Sequence, residues 1–274
     1  MTAATLLVLA SVALHVTWNV VVKRGRDPLL AYWAINVFGG LLFAPVVLAS
    51  APPARVAPQL CASVALHSAY GLGLVRAYSL ADLSVAYPVA RGVAPLGAAL
   101  GAAAFLDESL PPIALAGIAL TAAGLAATAR GSASARGVAW AVVTGVAIAT
   151  YTLVDSTAVR AGGHSLGYAA AVVAGQAVVL TPVALARAGA RDALADLRAH
   201  ALAYACGGAG SIGAYALVLA AVRLAPVAYV ATLREASVVV AAIAGWRLLA
   251  EPFGGRRTAG AAVALTGIAL LVAA

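Results

Sequence analysis

Four ionisable residues stand in the middle of long apolar runs: Arg91, Asp155, and the adjacent Arg234 and Glu235. Removing a charge from water is costly, so such a residue persists where it meets a partner, a cavity or a ligand. A guanidinium fork matches the oxygens of a carboxylate, phosphate or phosphonate. Arg91 and Arg234 are therefore candidates for binding the anionic end of a substrate. The competing expectation is structural: Arg91 pairs with Glu235 and Arg234 with Asp155, or either arginine reaches a helix end. The two acids could equally bind a substrate amine or carry a coupling proton, as intramembrane carboxylates do in proton relays.

Around these charges lie polar and aromatic side chains at helical spacing. His15, Trp18 and Asn19 share a face with Val22, which makes a polar stripe suited to a cavity wall. Tyr151 precedes Asp155 by four residues, and Tyr87 precedes Arg91 by four, so each ring shares a helix face with its charge. Tyr70, Tyr215, Tyr229 and His67 are weaker candidates, and Asn36 and Gln176 read as hydrogen-bonding joints between helices. Cys61 and Cys206 have no metal-ligand spacing, and no phosphate-binding loop ending in Gly-Lys-Ser/Thr is present. Neither a metal nor a cofactor is expected, nor an enzyme's catalytic set.

The elements that position these residues follow from composition. Of 274 residues, 64% are hydrophobic and 9% charged, where a soluble domain carries about 25% charged residues. Lipid must be the solvent for most of the chain. With about 20 residues per crossing, the apolar runs give ten spans, near 3–22, 29–49, 58–79, 83–105, 111–129, 137–159, 165–186, 199–222, 225–249 and 258–273. Loops are expected at Ser50–Pro58, Arg130–Arg136 and Gly189–Arg198. The net charge of +8 does not imply nucleic-acid binding, because the basic residues flank apolar runs singly or in small groups. The first run lacks a basic leader and a small-residue cleavage site, so it reads as a retained span. Gly97 and Gly101 have the spacing of close helix packing, whereas Pro88, Pro95 and Pro226 are positioned to kink spans 4 and 9.

The sequence also repeats itself. Gly117 and Gly260, Gly124 and Gly267, Arg91 and Arg234, and Glu108 and Glu251 are each 143 positions apart. Cys61 with Cys206 and Tyr70 with Tyr215 are each 145 apart. Matches at Arg, Glu, Gly, Cys and Tyr exceed what shared apolar composition supplies. The expected architecture is an all-α polytopic membrane protein of ten transmembrane helices, with one five-helix repeat in residues 1–130 and a second in 131–274. An odd number of spans per repeat inverts the second, an arrangement that places binding sites near the bilayer midplane.

The run Val85-Ala86-Tyr87-Pro88-Val89 to Pro95, then Leu106-Asp107-Glu108 and the Gly117/Gly124 helix, resembles the EamA-like branch of the drug/metabolite transporter superfamily. Its second-half echoes are Val227-Ala228-Tyr229, Leu249-Ala250-Glu251-Pro252 and the Gly260/Gly267 helix. The opening Leu14-His15-Val16-Thr17-Trp18-Asn19 is similar to a subgroup linked with phosphonate utilisation. The resemblance implies a multi-pass permease of the bacterial inner membrane, monomeric or homodimeric, that works without ATP hydrolysis. It implies a secondary transporter, often an exporter, of amino acids, aminophosphonates or similar zwitterions and anions. A cation exporter using Glu235 and Asp155, or a flippase of lipid-linked substrates, is the alternative. The resemblance places both termini in the cytoplasm. The loop charges point the other way: ten basic residues, among them Lys23, Arg26, Arg130 and Arg187, fall opposite the termini, against Arg55, Arg160 and Arg223 beside them.

Overall fold

The computed structural model describes residues 2–25, 27–50, 52–81, 83–129, 134–162, 164–237 and 255–274. These residues form helices and no β-strand: α1 (Thr2–Arg24), α2 (Pro28–Leu42), α3 (Ala44–Ala49), α4 (Ala57–Leu80), α5 (Leu83–Phe105), α6 (Pro112–Thr128), α7 (Ala135–Arg160), α8 (Ser165–Ala188), α9 (Ala190–Ala199), α10 (Ala201–Ala221), α11 (Val227–Leu233) and α12 (Gly255–Ala273). Among the described residues, five stretches are long and apolar enough to cross a bilayer: Ala54–Leu80, Val85–Phe105, Ala135–Arg160, Ser165–Ala188 and Ala201–Ala221; shorter apolar helices accompany them. Large side chains such as Leu48, Phe105 and Leu202 are about four-fifths exposed. Apolar surface of that kind is covered by lipid in a multi-pass protein.

The expected boundaries hold closely for span 4, which is α5, and differ at four places for local reasons. The second span is two helices, because Pro45 near the start of α3 has no N–H for the carbonyl of Leu41. The loop expected at Ser50–Pro58 contains a single 3-10 turn, Ala54–Val56. The loop expected at Gly189–Arg198 is the helix α9. Its Asp192 sits in the first turn and Arg198 in the last, the charge order a helix dipole favours. Pro226 is not inside a span, because it occupies the position before α11. The ninth span stops being regular helix at Arg234–Glu235, and its continuation beyond 237 lies outside the described residues. So do Arg26, Arg130 and the Leu249-Ala250-Glu251-Pro252 echo, as do the side chains of Asn19, Lys23, Arg24, Arg256 and Arg257.

The chain forms two compact units. One comprises Thr2–Gly71 and Val154–Leu224. In it α1 packs on α10, and α2 on both α8 and α10. The α2–α10 approach is close enough that a Cβ on Gly208 would stand 2.6 Å from the Gly39 nitrogen. Trp33, Ile35, Leu180 and Tyr204 lead its apolar cluster, with Ala193 of α9 buried among them. Asp27 caps α2 through the amides of Leu29 and Leu30 and pairs with Arg187 at the end of α8. At the other end of α2 and α8, Arg55 and Arg160 donate to the carbonyls of Ala161 and Val222. The loops joining the helices are thus tied to one another at both ends of this unit.

The second unit comprises Leu72–Leu153 and Ala225–Ala274. Its most extensive packing joins α6 to α12. A Cβ on Gly117 would meet the Gly267 carbonyl at 2.6 Å, and one on Gly267 would meet the Gly117 carbonyl at 2.5 Å. One on Gly124 would meet the Gly260 carbonyl at 2.7 Å. As one chain advances the other retreats, so the helices are antiparallel. The hydroxyl of Thr121, between the two glycines, donates to Gly117 and reaches Ala264 at 3.4 Å. Gly97 and Gly101 of α5 face Ala149 and Leu153 of α7, so they pack helices, as their spacing predicts. Glu108 accepts from the Val227 amide at 2.8 Å, which caps the start of α11 from a distant part of the chain. Asp107 makes the turn before it in the left-handed region, at φ 53.

Candidate functional site

In the second unit the charged site is built on α5 and the interruption after α11. Pro88 and Pro95 lie inside α5. The second of these has no N–H to return to the carbonyl of Arg91, one turn earlier. Arg91 is buried. Its Nη2 donates to Ser237 Oγ at 2.8 Å and approaches the Arg234 carbonyl at 3.4 Å. Its Nε lies 3.0 Å from Glu235 Oε2, an ion pair between two buried side chains. The two atoms are close, but the N–H is not aimed at the oxygen as in a hydrogen bond. The guanidinium carbon stands 5.9 Å from the centroid of the Tyr87 ring, one turn earlier on α5, within the range of a cation–π contact.

This arrangement explains why the backbone can leave helical geometry at Arg234. The last carbonyls of a helix have no partner within it, and in a membrane such groups must be satisfied by protein. Here the Arg234 carbonyl accepts from the Ser237 amide at 3.0 Å, and Arg91 approaches the same oxygen from α5. Arg234 itself is half-buried, and no ion pair to its guanidinium is found among the described residues. Discontinuous helices of this kind present backbone and charge together, as substrate sites in transporters do.

Tyr151 is buried on α7, and Tyr229 on α11 is buried as well. One turn beyond Tyr151, Asp155 belongs to the first unit and is fully buried there. Tyr168 donates to its Oδ1 at 2.8 Å, and the Tyr215 hydroxyl donates to Oδ2. The ring of His67 meets that of Tyr215 edge-on at 5.1 Å. His67 Nδ1 lies 3.2 Å from the Ser63 hydroxyl and 3.0 Å from the Ser63 carbonyl oxygen. Asp155 of α7 is thus held beside hydroxyls and one imidazole drawn from three other helices, α4, α8 and α10.

The polar stripe of α1 forms a second chain in the same unit. Trp18 donates from Nε1 to His15 Nδ1 at 3.2 Å, with the rings edge-to-face. Trp18 then neighbours Tyr32, whose hydroxyl donates to Gln176 at 2.6 Å. Gln176 joins α2 to α8, as expected, whereas Asn36 is satisfied by the Tyr32 carbonyl of its own helix. Ser237, Tyr168 and Tyr32 were not singled out in the sequence. Ser237 had a local signal, standing two residues after Glu235 in a charged turn. Tyr168 and Tyr32 had none, since their partners lie on other helices.

Comparison with known proteins agrees with this architecture. A family model, the EamA-like transporter family, matches residues 135–273. One solved crystal structure is similar over 98% of this chain and 96% of its own, with a TM-score of 0.75 and 19% identity, a likeness of fold alone. No curated protein matches the chain. With the family match spanning the second half of an all-helical, lipid-covered chain, this protein belongs to the EamA-like transporter family, multi-pass membrane transporters of small solutes in the drug/metabolite transporter superfamily.

Proposed function

We propose that this protein is a secondary carrier that moves a small zwitterion, an amino acid or aminophosphonate in chemistry, across the bacterial inner membrane by alternating access, in the export direction. The observation that carries this reading is the buried Arg91–Glu235 pair at the interruption of α11. A buried ion pair tolerates no loss of one partner, because the remaining charge is then uncompensated. A pure anion drawn to Arg91 would leave Glu235 exposed to that penalty, and a pure cation drawn to Glu235 would leave Arg91. A zwitterion gives its carboxylate or phosphonate to Arg91 and its ammonium to Glu235, so both charges stay compensated. Arg234 adds a second fork for the anionic end. In this reading Tyr87 and Tyr151 form walls of the substrate path in the unit that holds Arg91, while His15 and Trp18 form a polar stripe within their own unit.

The symmetry of the α6–α12 contact supports the repeats 1–130 and 131–274. Exchanging each residue for its mate 143 positions away turns the Gly117–Gly267 contact into Gly260–Gly124, which is also present. Self-complementary antiparallel packing is what an inverted pair of related helices makes. The coupling proton is assigned to Asp155, since Glu235 is committed to Arg91 while Asp155 is held by hydroxyls. That aromatic-lined carboxylate also favours a second reading, a cation exporter centred on Asp155.

Counterflow in proteoliposomes tests both. Saturable exchange of amino acids or aminophosphonates, lost in Arg91→Gln and stimulated by an imposed pH gradient only while Asp155 is intact, supports the zwitterion carrier. Exchange of quaternary cations that survives Arg91→Gln and fails in Asp155→Asn moves the site to Asp155.

A further inference from the structure

Helix α9 lies between α8 and α10, two stretches long and apolar enough to span the bilayer, so it sits where chain leaves and re-enters lipid. Its inner face is fixed to the protein. Ala193 is buried in the Trp33–Tyr204 cluster, Leu197 packs against that cluster, and Asp196 accepts from the Tyr204 hydroxyl at 2.6 Å. The positive φ of Gly189, 77, turns the chain from α8 directly into it. The outer face carries Arg191, Leu194 and Arg198, spaced i, i+3, i+7 and therefore aligned on one side. Both arginines are exposed, Leu194 is 45% exposed, and neither guanidinium has an ion-pair partner among the described residues. Of the nearby acids, Asp27 is taken by Arg187 and Asp196 by Tyr204 and His200, while Asp192 lies on the helix flank away from the stripe. Val183 and Leu185 at the end of α8 and Leu202 at the start of α10 are exposed apolar residues on either side, which marks the edge of the hydrocarbon at this level.

From this placement we infer that α9 is an interfacial helix that docks on anionic phospholipid headgroups, Arg191 and Arg198 holding phosphate oxygens while Leu194 enters the acyl boundary between them. An apolar side chain flanked by arginines matches the border of headgroup and hydrocarbon, since the long basic side chains reach outward while the aliphatic one stays in lipid. A basic residue beside an anionic leaflet contributes through charge attraction that neutral lipid does not supply. Because α9 is fastened to the Trp33–Tyr204 cluster, headgroup binding would stabilise the unit formed by α1, α2, α8 and α10, whatever solute the carrier moves.

The test compares the full chain in nanodiscs of phosphatidylcholine with nanodiscs that also contain phosphatidylglycerol, reading thermal unfolding and lipid adducts retained in native mass spectrometry. Phosphatidylglycerol should raise the unfolding temperature and remain as adducts. The double variant Arg191→Gln/Arg198→Gln should lose the temperature shift, with adduct affinity falling about fivefold for each arginine removed. Arg191→Lys/Arg198→Lys, which keeps the charge, should retain most of both effects. Equal unfolding in the two lipids, an undiminished shift in the double Gln variant, or reproduction of the shift by soluble glycerophosphate alone would overturn the inference.

Discussion

Nε of Arg91 and Oε2 of Glu235 lie 3.0 Å apart, and the two side chains are 6% and 2% exposed. Neither residue can change its charge without consequence for the other. Arg91→Leu should therefore destabilise the protein by about 3–5 kcal/mol, because Glu235 is left buried and alone. The double variant Arg91→Leu/Glu235→Leu should recover most of that loss while abolishing transport. Thermal unfolding of the purified single and double variants, run beside a transport assay, separates the two effects.

The α6–α12 contact is backbone against backbone, so it has no flexible atom to yield. Gly117→Ala places a methyl 2.6 Å from the Gly267 carbonyl oxygen and 2.9 Å from the Leu271 nitrogen. Overpacking of this kind costs about 1–3 kcal/mol, and the unfolding temperature should fall accordingly. Gly213→Ala is the contrast. Its methyl would meet only the end of the Leu14 side chain, at 3.3 Å, and should be nearly silent.

How much of this was legible in advance depends on the range of the interaction. Long apolar runs bounded by Pro or charge set Leu83–Phe105 and Ser165–Ala188 closely, because a membrane helix satisfies its backbone within itself. The Gly97 and Gly101 spacing marks a helix-packing face, and both meet α7. Helix α9 reads as a loop in the sequence, since four of its ten residues are charged and only the core that Ala193 and Leu197 join makes it a helix. Glu235 is a partner the sequence offers Arg91, beside a substrate anion or a helix end. The Arg91 contact to Ser237 and the interruption at Arg234 depend on residues 143 to 146 positions away, which no local pattern encodes.

Asp155 is held from two helices at once. Tyr168→Phe and Tyr215→Phe should each cost about 1–2 kcal/mol, within the range of interhelical hydrogen bonds in membranes. Because both hydroxyls meet one carboxylate, the double variant should depart from additivity. A double-mutant cycle on unfolding in a mild detergent checks this, and simple addition would show that the two tyrosines act apart.

At the end of α2, partial burial acts to raise the pKa of Asp27, but the hydrogen bond from Arg187, the amides of Leu29 and Leu30 and the Arg187 charge together hold it below the usual carboxylate value. A carboxyl whose folded pKa is depressed contributes its full stabilisation above the unfolded value of about 3.9. That contribution is lost as the pH falls through the lower folded value. Asp27→Asn keeps a good helix cap but removes this charge. Its stability should match the acid-sensitive wild type more closely at low pH than at neutral pH, measured by unfolding from pH 7 downward.

The most direct test of the zwitterion site is counterflow of one amino acid or aminophosphonate beside its N-acylated and esterified forms, in wild type, Arg91→Gln and Glu235→Gln. Wild type should exchange the zwitterion and discriminate against both derivatives. Glu235→Gln should gain tolerance for the N-acylated anion, and Arg91→Gln for the esterified cation. Zwitterion exchange at the wild-type rate in both variants would contradict the account and leave Arg91 and Glu235 as a structural pair.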